Sequence, residues 1–424
     1  MVDETHDPRA TSWVETAQES GCAFPLQNLP YCVFRAASGG TRAGVGIGEA
    51  ILPLDFDTLL PLMAEPKQAR AERRLRLHRL LRSDADAATR DRTRAALVPI
   101  TSVELLLPAA IGDYTDFFGS IHHAVNAASM MRPGEGLFAN YRHLPLAYHG
   151  RASSVVVSGT AVPRPHGQRR SREAGSTFSP TRRLDYEAEI GYLVAGGNAL
   201  GTRIPIEEAW DHIFGATLLN DWSARDFQAW ESDPLGPFLG KSFATTLSPW
   251  IVTAETLEPF RAAPAPRGDD APALLDYLSS EADRANGAVA IQVDVLLLTA
   301  TMRAAGDSPV RISRSTSATQ YWTPAQLVTH QTSNGCNLRP GDLLGSGTLS
   351  GPSKESWACL LELTRGGRDP ITLPNGETRT FLEDGDEVIL RGRCEKAGAV
   401  AIGFGHCSGR VAAIQTSRLA SSGR

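Results

Sequence analysis

The stretch Leu184-Asp185-Tyr186-Glu187-Ala188-Glu189-Ile190, continued by Gly191-Tyr192-Leu193-Val194, decides the fold. From Glu189 to Val194 it is a short, mostly apolar run of β-type residues, and it predicts a strand. On a strand, Glu187 and Glu189 stand at i and i+2, so both carboxylates point to one face. Two such carboxylates repel unless a cation lies between them. Hard divalent cations such as Mg²⁺ and Ca²⁺ prefer oxygen ligands of this kind. Solvent-facing glutamates on an exposed strand would look the same, so spacing alone leaves both readings open.

Outward from this stretch, runs of the same type recur at 154–157, 288–298, 360–363 and 387–390. Gly- and Pro-containing turns separate them, with helices expected at 205–213 and 323–332. There is no regular strand–helix alternation, which argues against a doubly wound parallel sheet and for a mainly β chain beyond residue 108. Two polar stretches, 163–183 and 259–287, read as surface loops. Upstream, 24–26 and 31–34 are short strand candidates. Gly44-Val45-Gly46-Ile47-Gly48 lacks the spacing of a dinucleotide-binding turn and reads as a strand with a bulge. Residues 65–97 form the clearest helix. Its basic stripe of Lys67, Arg70, Arg73, Arg74, Arg76, Arg79 and Arg82 reads first as a solvated face with one apolar edge. A crossing near residues 105–108 divides the chain into a small N-terminal β domain with this basic helix (1–107) and a larger second domain (108–424).

The bulk numbers exclude several classes. The chain has 424 residues, 42% apolar and 21% charged, with a net charge of −5. That balance gives no reason to expect a nucleic-acid or membrane-surface binder. No apolar run reaches the ~18 residues of a membrane span, and residues 1–10 are polar. A cytoplasmic location is expected. None of the six cysteines is in C-x-x-C spacing, so they read as reduced, mostly buried thiols.

Chemistry concentrates elsewhere. Gly236-Pro237-Phe238-Leu239-Gly240-Lys241-Ser242 is one residue short of a phosphate-binding loop, and Gly240-Lys241-Ser242-Phe243-Ala244 lacks the second glycine of a nucleophile elbow. A lysine among bulky apolar residues is nonetheless suited to face an anion. Asp116, in Gly112-Asp113-Tyr114-Thr115-Asp116-Phe117, and Asp221, in Asn220-Asp221-Trp222-Ser223-Ala224-Arg225-Asp226, are acids in aromatic surroundings. They could complete a carboxylate cage with the glutamate pair, or cap turns. His122 and His123 follow Asp116 closely and are the best-placed general bases among ten histidines.

These segments, with Tyr148-His149-Gly150-Arg151, Pro234 to Phe243 and Asn334-Gly335-Cys336-Asn337-Leu338-Arg339-Pro340-Gly341-Asp342, occur in one order along nearly the whole chain. The sequence resembles the fumarylacetoacetase (fumarylacetoacetate hydrolase) family. The resemblance implies an SH3-like N-terminal β domain followed by a larger domain of rolled, mixed β-sheet, in a homodimer. It implies hydrolysis of a carbon–carbon bond in 4-fumarylacetoacetate to fumarate and acetoacetate, the last step of tyrosine and phenylalanine breakdown. The alternative within the superfamily is an acylpyruvate or other β-diketo acid hydrolase.

Residue by residue, the resemblance implies Asp116, Glu187, Glu189 and Asp221 as ligands of Mg²⁺ or Ca²⁺, with Lys241 and Thr245 at positions assigned to a second cation. An ammonium has no lone pair, so Lys241 there is a neighbour and not a ligand. It implies His123 as general base, oriented by Glu362, and Arg225, Gln228 and Lys241 around the reacting carbonyl. Arg132, Tyr148, Gln228 and Thr348 match substrate-contacting positions. Phe118 and Ser232 occupy two further ones where the family carries Tyr. Losing two phenol hydroxyls bears on the acyl group accepted and not on the reaction class.

Overall fold

The structure, a computed structural model, describes residues 2–36 and 39–413. It is mainly β. A central eight-stranded mixed sheet runs in the order Ala147–Gly150, Tyr114–Phe117, Leu343–Gly345, Ala188–Val194, Ile213–Asp221, Thr245–Leu247, Val155–Val157, with Val252–Thr253 also pairing on Ile213–Asp221. The strands Ala188–Val194 and Ile213–Asp221 are buried at every position. Both faces of the sheet are therefore covered, which is why Glu189 to Val194 reads as a mostly apolar run and not as an alternation.

One face packs on a five-stranded sheet ordered Val310–Thr316, Gln292–Leu298, Glu387–Cys394, Ile402–Ala412, Val162–Pro163. Ile190, Leu218 and Trp222 share a core there with Val293, Val295, Leu390 and Phe404. Burying each such side chain contributes about 1.5–3 kcal/mol. Trp222 is fully buried and donates its indole N–H to Thr246 at 2.8 Å. It fits because Gly409 has no side chain: a Cβ there would lie 2.5 Å from the indole.

The other face meets an antiparallel N-terminal sheet, ordered Val98–Pro99, Ala50–Pro53, Thr41–Ile47, Tyr31–Arg35, Glu104–Leu105. Here Val33, Val45 and Leu62 pack with Leu193, Leu219 and Leu343. Neighbours such as Leu218 and Leu219 thus serve opposite faces.

Several sequence expectations need correction. Residues 360–363 form a short helix, Leu360–Leu363, and not a strand. The stretch 163–183 holds a hairpin, His166–Ser171 with Gly175–Pro180. Within 259–287 lies the helix Glu281–Asn286. Residues 24–26 form no strand, and the only helical part of 205–213 is the short 3-10 turn Ala209–His212. The basic helix is two helices, Lys67–Leu81 and Ala87–Ala96. Its stripe is solvated only in part: Lys67, Arg76 and Arg79 are exposed, while Arg70 and Arg74 are buried. Arg70 binds Glu255, and buried Arg74 donates to Thr5, Thr256 and the carbonyls of Gln27 and Asn28. Arg73 and Arg79 pair with Glu65 and Glu4. The charge of Arg70 and Arg74 is spent internally. No helix of the described residues is long and apolar enough to cross a membrane.

Candidate active site

Three strands bring three carboxylates together. Asp116 lies on Tyr114–Phe117, in parallel register with Gly345. Glu189 lies near the start of Ala188–Val194, opposite Leu219, and Asp221 ends Ile213–Asp221, opposite Thr245. Oxygens of Asp116, Glu189 and Asp221 lie within 4.8 Å of one another. Gly345 makes the approach possible: a Cβ there would sit 2.5 Å from Asp116 Oδ1 and 3.2 Å from Glu189 Oε2. All three side chains are buried, and Asp116 Oδ1, Glu189 Oε1 and Asp221 Oδ1 have no hydrogen-bond partner. Burial, followed by repulsion from neighbouring carboxylates, pushes the Asp116 and Glu189 carboxyls well above the usual range; Asp221 is raised for the same reasons, against the pull of Lys241. A buried, all-oxygen, mutually repelling set with free lone pairs fits a hard divalent cation. The Tyr148 hydroxyl lies 2.9 Å from Asp116 Oδ2 and 2.8 Å from Asp221 Oδ2.

Glu187 stands beside this trio with both oxygens engaged. Arg225 Nη1 donates to its Oε1 at 2.6 Å and Lys241 Nζ to its Oε2 at 2.6 Å. Burial would raise its carboxyl, but Lys241, Arg225 and His123 outweigh burial and hold it far below the usual range. Lys241 also donates to Asp221 Oδ2 at 2.5 Å. Burial opposes its charge, yet Asp221 and Glu187 keep the ammonium more basic than usual. No helix follows Lys241, which removes both loop motifs considered above. Arg225 Nη1 also donates to Gln228 Oε1 at 3.1 Å, which leaves the Gln228 amide nitrogen as a donor, and Arg225 Nη2 is buried without a partner.

His123 lies on the helix Ile121–Met131, whose N-terminus is capped by the Ser120 hydroxyl accepting from the His123 N–H. Its Nδ1 lies 2.7 Å from Glu362 Oε2, and its Nε2 lies 3.7 Å from Glu187 Oε1. Glu362 also accepts from Asn126 at 2.7 Å, from Ser350 at 2.5 Å and from the Cys359 thiol at 3.1 Å. Burial pushes its carboxyl up, but His123, Ser350 and Asn126 bring it below the ordinary value.

The remaining expected positions vary. Phe118 meets His123 edge-on, with ring centroids 5.4 Å apart. Thr348 is buried with its hydroxyl unpartnered. The Ser232 hydroxyl is spent on the Gln228 carbonyl of its own helix. Arg132 turns to Glu135, the Gly136 carbonyl and the Phe138 ring, and none of its contacts reaches the carboxylates or His123. Thr245 faces Asp221 across the strand pair.

The family model for the fumarylacetoacetate (FAA) hydrolase C-terminal domain matches residues 114–412. The chain belongs to the fumarylacetoacetate hydrolase family. Similar full-length relatives are the fumarylacetoacetases of Arabidopsis thaliana and Homo sapiens, each 44% identical over 94% of this chain and 98% of theirs. That of Caenorhabditis elegans is 45% identical over the same shares. Among solved structures, the fumarylacetoacetate hydrolase of psychrophilic Exiguobacterium antarcticum has a similar fold, with TM-score 0.50 at 18% identity over 91% of this chain and 99% of that one.

This member of the fumarylacetoacetate hydrolase family has site residues that the sequence reading passed over. Asp185, Asn126, Ser350, Cys359 and Gly345 all touch the groups above. Asp185 carried a signal, an acid between Leu184 and Tyr186. The others are small or neutral, and only their placement reveals them.

Proposed function

We propose that the protein is a metal-assisted hydrolase that converts 4-fumarylacetoacetate and water to fumarate and acetoacetate, the last step of tyrosine breakdown. The observation that carries this reading is the buried His123–Glu362 pair beside the Asp116, Glu189 and Asp221 trio, in a chain whose relatives are named fumarylacetoacetase. A Mg²⁺ or Ca²⁺ ion held by Asp116, Glu189 and Asp221, with Glu187 and Thr245 alongside, would supply Lewis-acid polarisation of the diketo oxygens.

The chain's own residues do the rest. Nδ1–H of His123 donates to Glu362, so Nε2 carries the lone pair that takes a proton from water. Glu362 stabilises the resulting imidazolium. The water oxygen attacks the fumaryl carbonyl carbon, whose oxygen becomes negative. Lys241 Nζ, Arg225 Nη2 and the Gln228 amide are the donors for that charge. The bond to the adjacent methylene then breaks. Its electron pair leaves as the enolate of acetoacetate, and His123 returns the proton to that carbon. Tyr148, Phe118 and Thr348 border the substrate in this reading; Ser232 and Arg132, matched to substrate positions by the family resemblance alone, are engaged with their own neighbours. The reading places the enzyme in the cytoplasm, acting on a small diketo acid as a homodimer.

The test is product analysis. Purified protein with Mg²⁺ or Ca²⁺ is given fumarylacetoacetate and, separately, acylpyruvates. Fumarate and acetoacetate in equal amounts support the reading. Turnover of acylpyruvates alone overturns the substrate and leaves the reaction class.

A further inference from the structure

Asp185 is fully buried and takes no part in the chemistry above. Both its oxygens are saturated by donors from three parts of the chain. Oδ1 accepts from the Tyr186 N–H at 2.8 Å and the Leu360 N–H at 2.7 Å. Oδ2 accepts from the Leu361 N–H at 2.8 Å and from Arg225 Nε at 2.9 Å.

Two of these bonds hold the first N–H groups of the helix Leu360–Leu363, which carries Glu362. Those groups have no partner within a helix. Cys359, at the N-cap, makes no side-chain cap bond, so Asp185 does the capping from 175 residues away. The fourth bond fixes one end of Arg225. With Nε on Asp185 and Nη1 on Glu187, the planar guanidinium has no freedom left, and the direction of the unpartnered Nη2 is set. Asp185 is itself fixed, because Leu184–Asp185 pairs with Ser223–Ala224 immediately before Arg225. A buried ion pair gives little net stability, since desolvation offsets the attraction. Its distinctive effect here is to fix directions.

We propose that Asp185 is a positioning residue that locks the Glu362 helix to the Arg225 guanidinium, so that the water-activating pair and the carbonyl-stabilising donor keep one geometry. This rests on the reaction proposed above.

Asp185→Asn tests it. The variant keeps the shape but turns one oxygen into an amide, which must face an N–H donor. A misplacement of this kind lowers kcat by ~100-fold, with KM nearly unchanged, on protein normalised for folded fraction by circular dichroism. A purely structural role would lower the folded fraction and multiply with any other loss. The double variant Asp185→Asn/Glu362→Gln is therefore expected to fall short of the product of the single losses by ~10-fold or more. An Asp185→Asn variant within ~3-fold of the unmodified enzyme, or single losses that simply multiply, would overturn the proposal.

Hydrogen exchange on the unmodified protein decides the case where the variant fails to fold. The Leu360 and Leu361 amides are expected to exchange as slowly as those of Ile213–Asp221. Fast exchange there refutes the lock. If the unmodified enzyme leaves fumarylacetoacetate untouched, the reaction assignment fails, and the two amides still report on the lock.

Discussion

His123 Nδ1 and Glu362 Oε2 lie 2.7 Å apart across 239 residues of sequence, both buried. This contact fixes which imidazole nitrogen is free. Three further donors, from Asn126, Ser350 and Cys359, hold the carboxylate in place.

Glu362→Gln keeps the shape and removes the charge that, in the proposed reaction, stabilises the imidazolium. Steady-state kinetics should show kcat lower by ~10²–10⁴-fold, the range for a positioned acid–base group. Loss in KM alone would place Glu362 in binding instead.

The Asp116, Glu189 and Asp221 cluster stores repulsion that a cation removes. Adding Mg²⁺ or Ca²⁺ should raise the melting temperature, and a chelator should reverse it; at 100 times Kd the gain is about 2.7 kcal/mol. Glu189→Gln should raise the melting temperature of the cation-free protein and shrink the cation-dependent shift. A cation-independent melt contradicts the site.

His78 gives a pH signature away from the site. It is fully buried on the helix Lys67–Leu81, and both ring nitrogens lack partners. Burial first, then the charges of Arg74 and Arg82, lower its pKa to about 4, against weaker opposite pulls from Glu4 and Asp3. In the unfolded chain the value is ~6.5. Between those values the unfolded state binds the extra proton, so this contribution is full above ~6.5 and is lost as pH falls toward about 4. His78→Leu should flatten the fall in melting temperature across that window. An unchanged slope would refute this.

In the proposed reading, Phe118 and Ser232 stand at substrate positions where the family carries Tyr. Phe118→Tyr or Ser232→Tyr should lower KM for fumarylacetoacetate by ~2–10-fold, the effect of one hydrogen bond of about 0.5–1.5 kcal/mol. A raised KM for both would show that this pocket is shaped for a different acyl group.

The residues alone singled out Asp116, Glu187, Glu189, Asp221, His123 and Lys241, because charge inside apolar or aromatic motifs is costly; Glu362, Arg225 and Gln228 came from the family resemblance. The central strand Ala188–Val194 was legible from its apolar run, whereas Ile213–Asp221, broken by Gly215 and Thr217, was not. What escaped depends on distant partners. Residues 360–363 are four buried residues that suit a strand equally well, and the Asp185 contacts that cap their helix come from 175 and 176 residues away. The hairpin His166–Ser171 with Gly175–Pro180 is largely polar on both faces, so it gives no alternation to read. The basic stripe looked solvated because the acceptors of Arg74 lie 46 to 182 residues away.

Fumarate release by the unmodified enzyme beside His123→Ala, at saturating Mg²⁺ or Ca²⁺, tests the central claim most directly. The account predicts equal fumarate and acetoacetate from the former and a rate lower by at least ~100-fold in the variant, with its cation-dependent melt intact. Undiminished turnover in His123→Ala would contradict it.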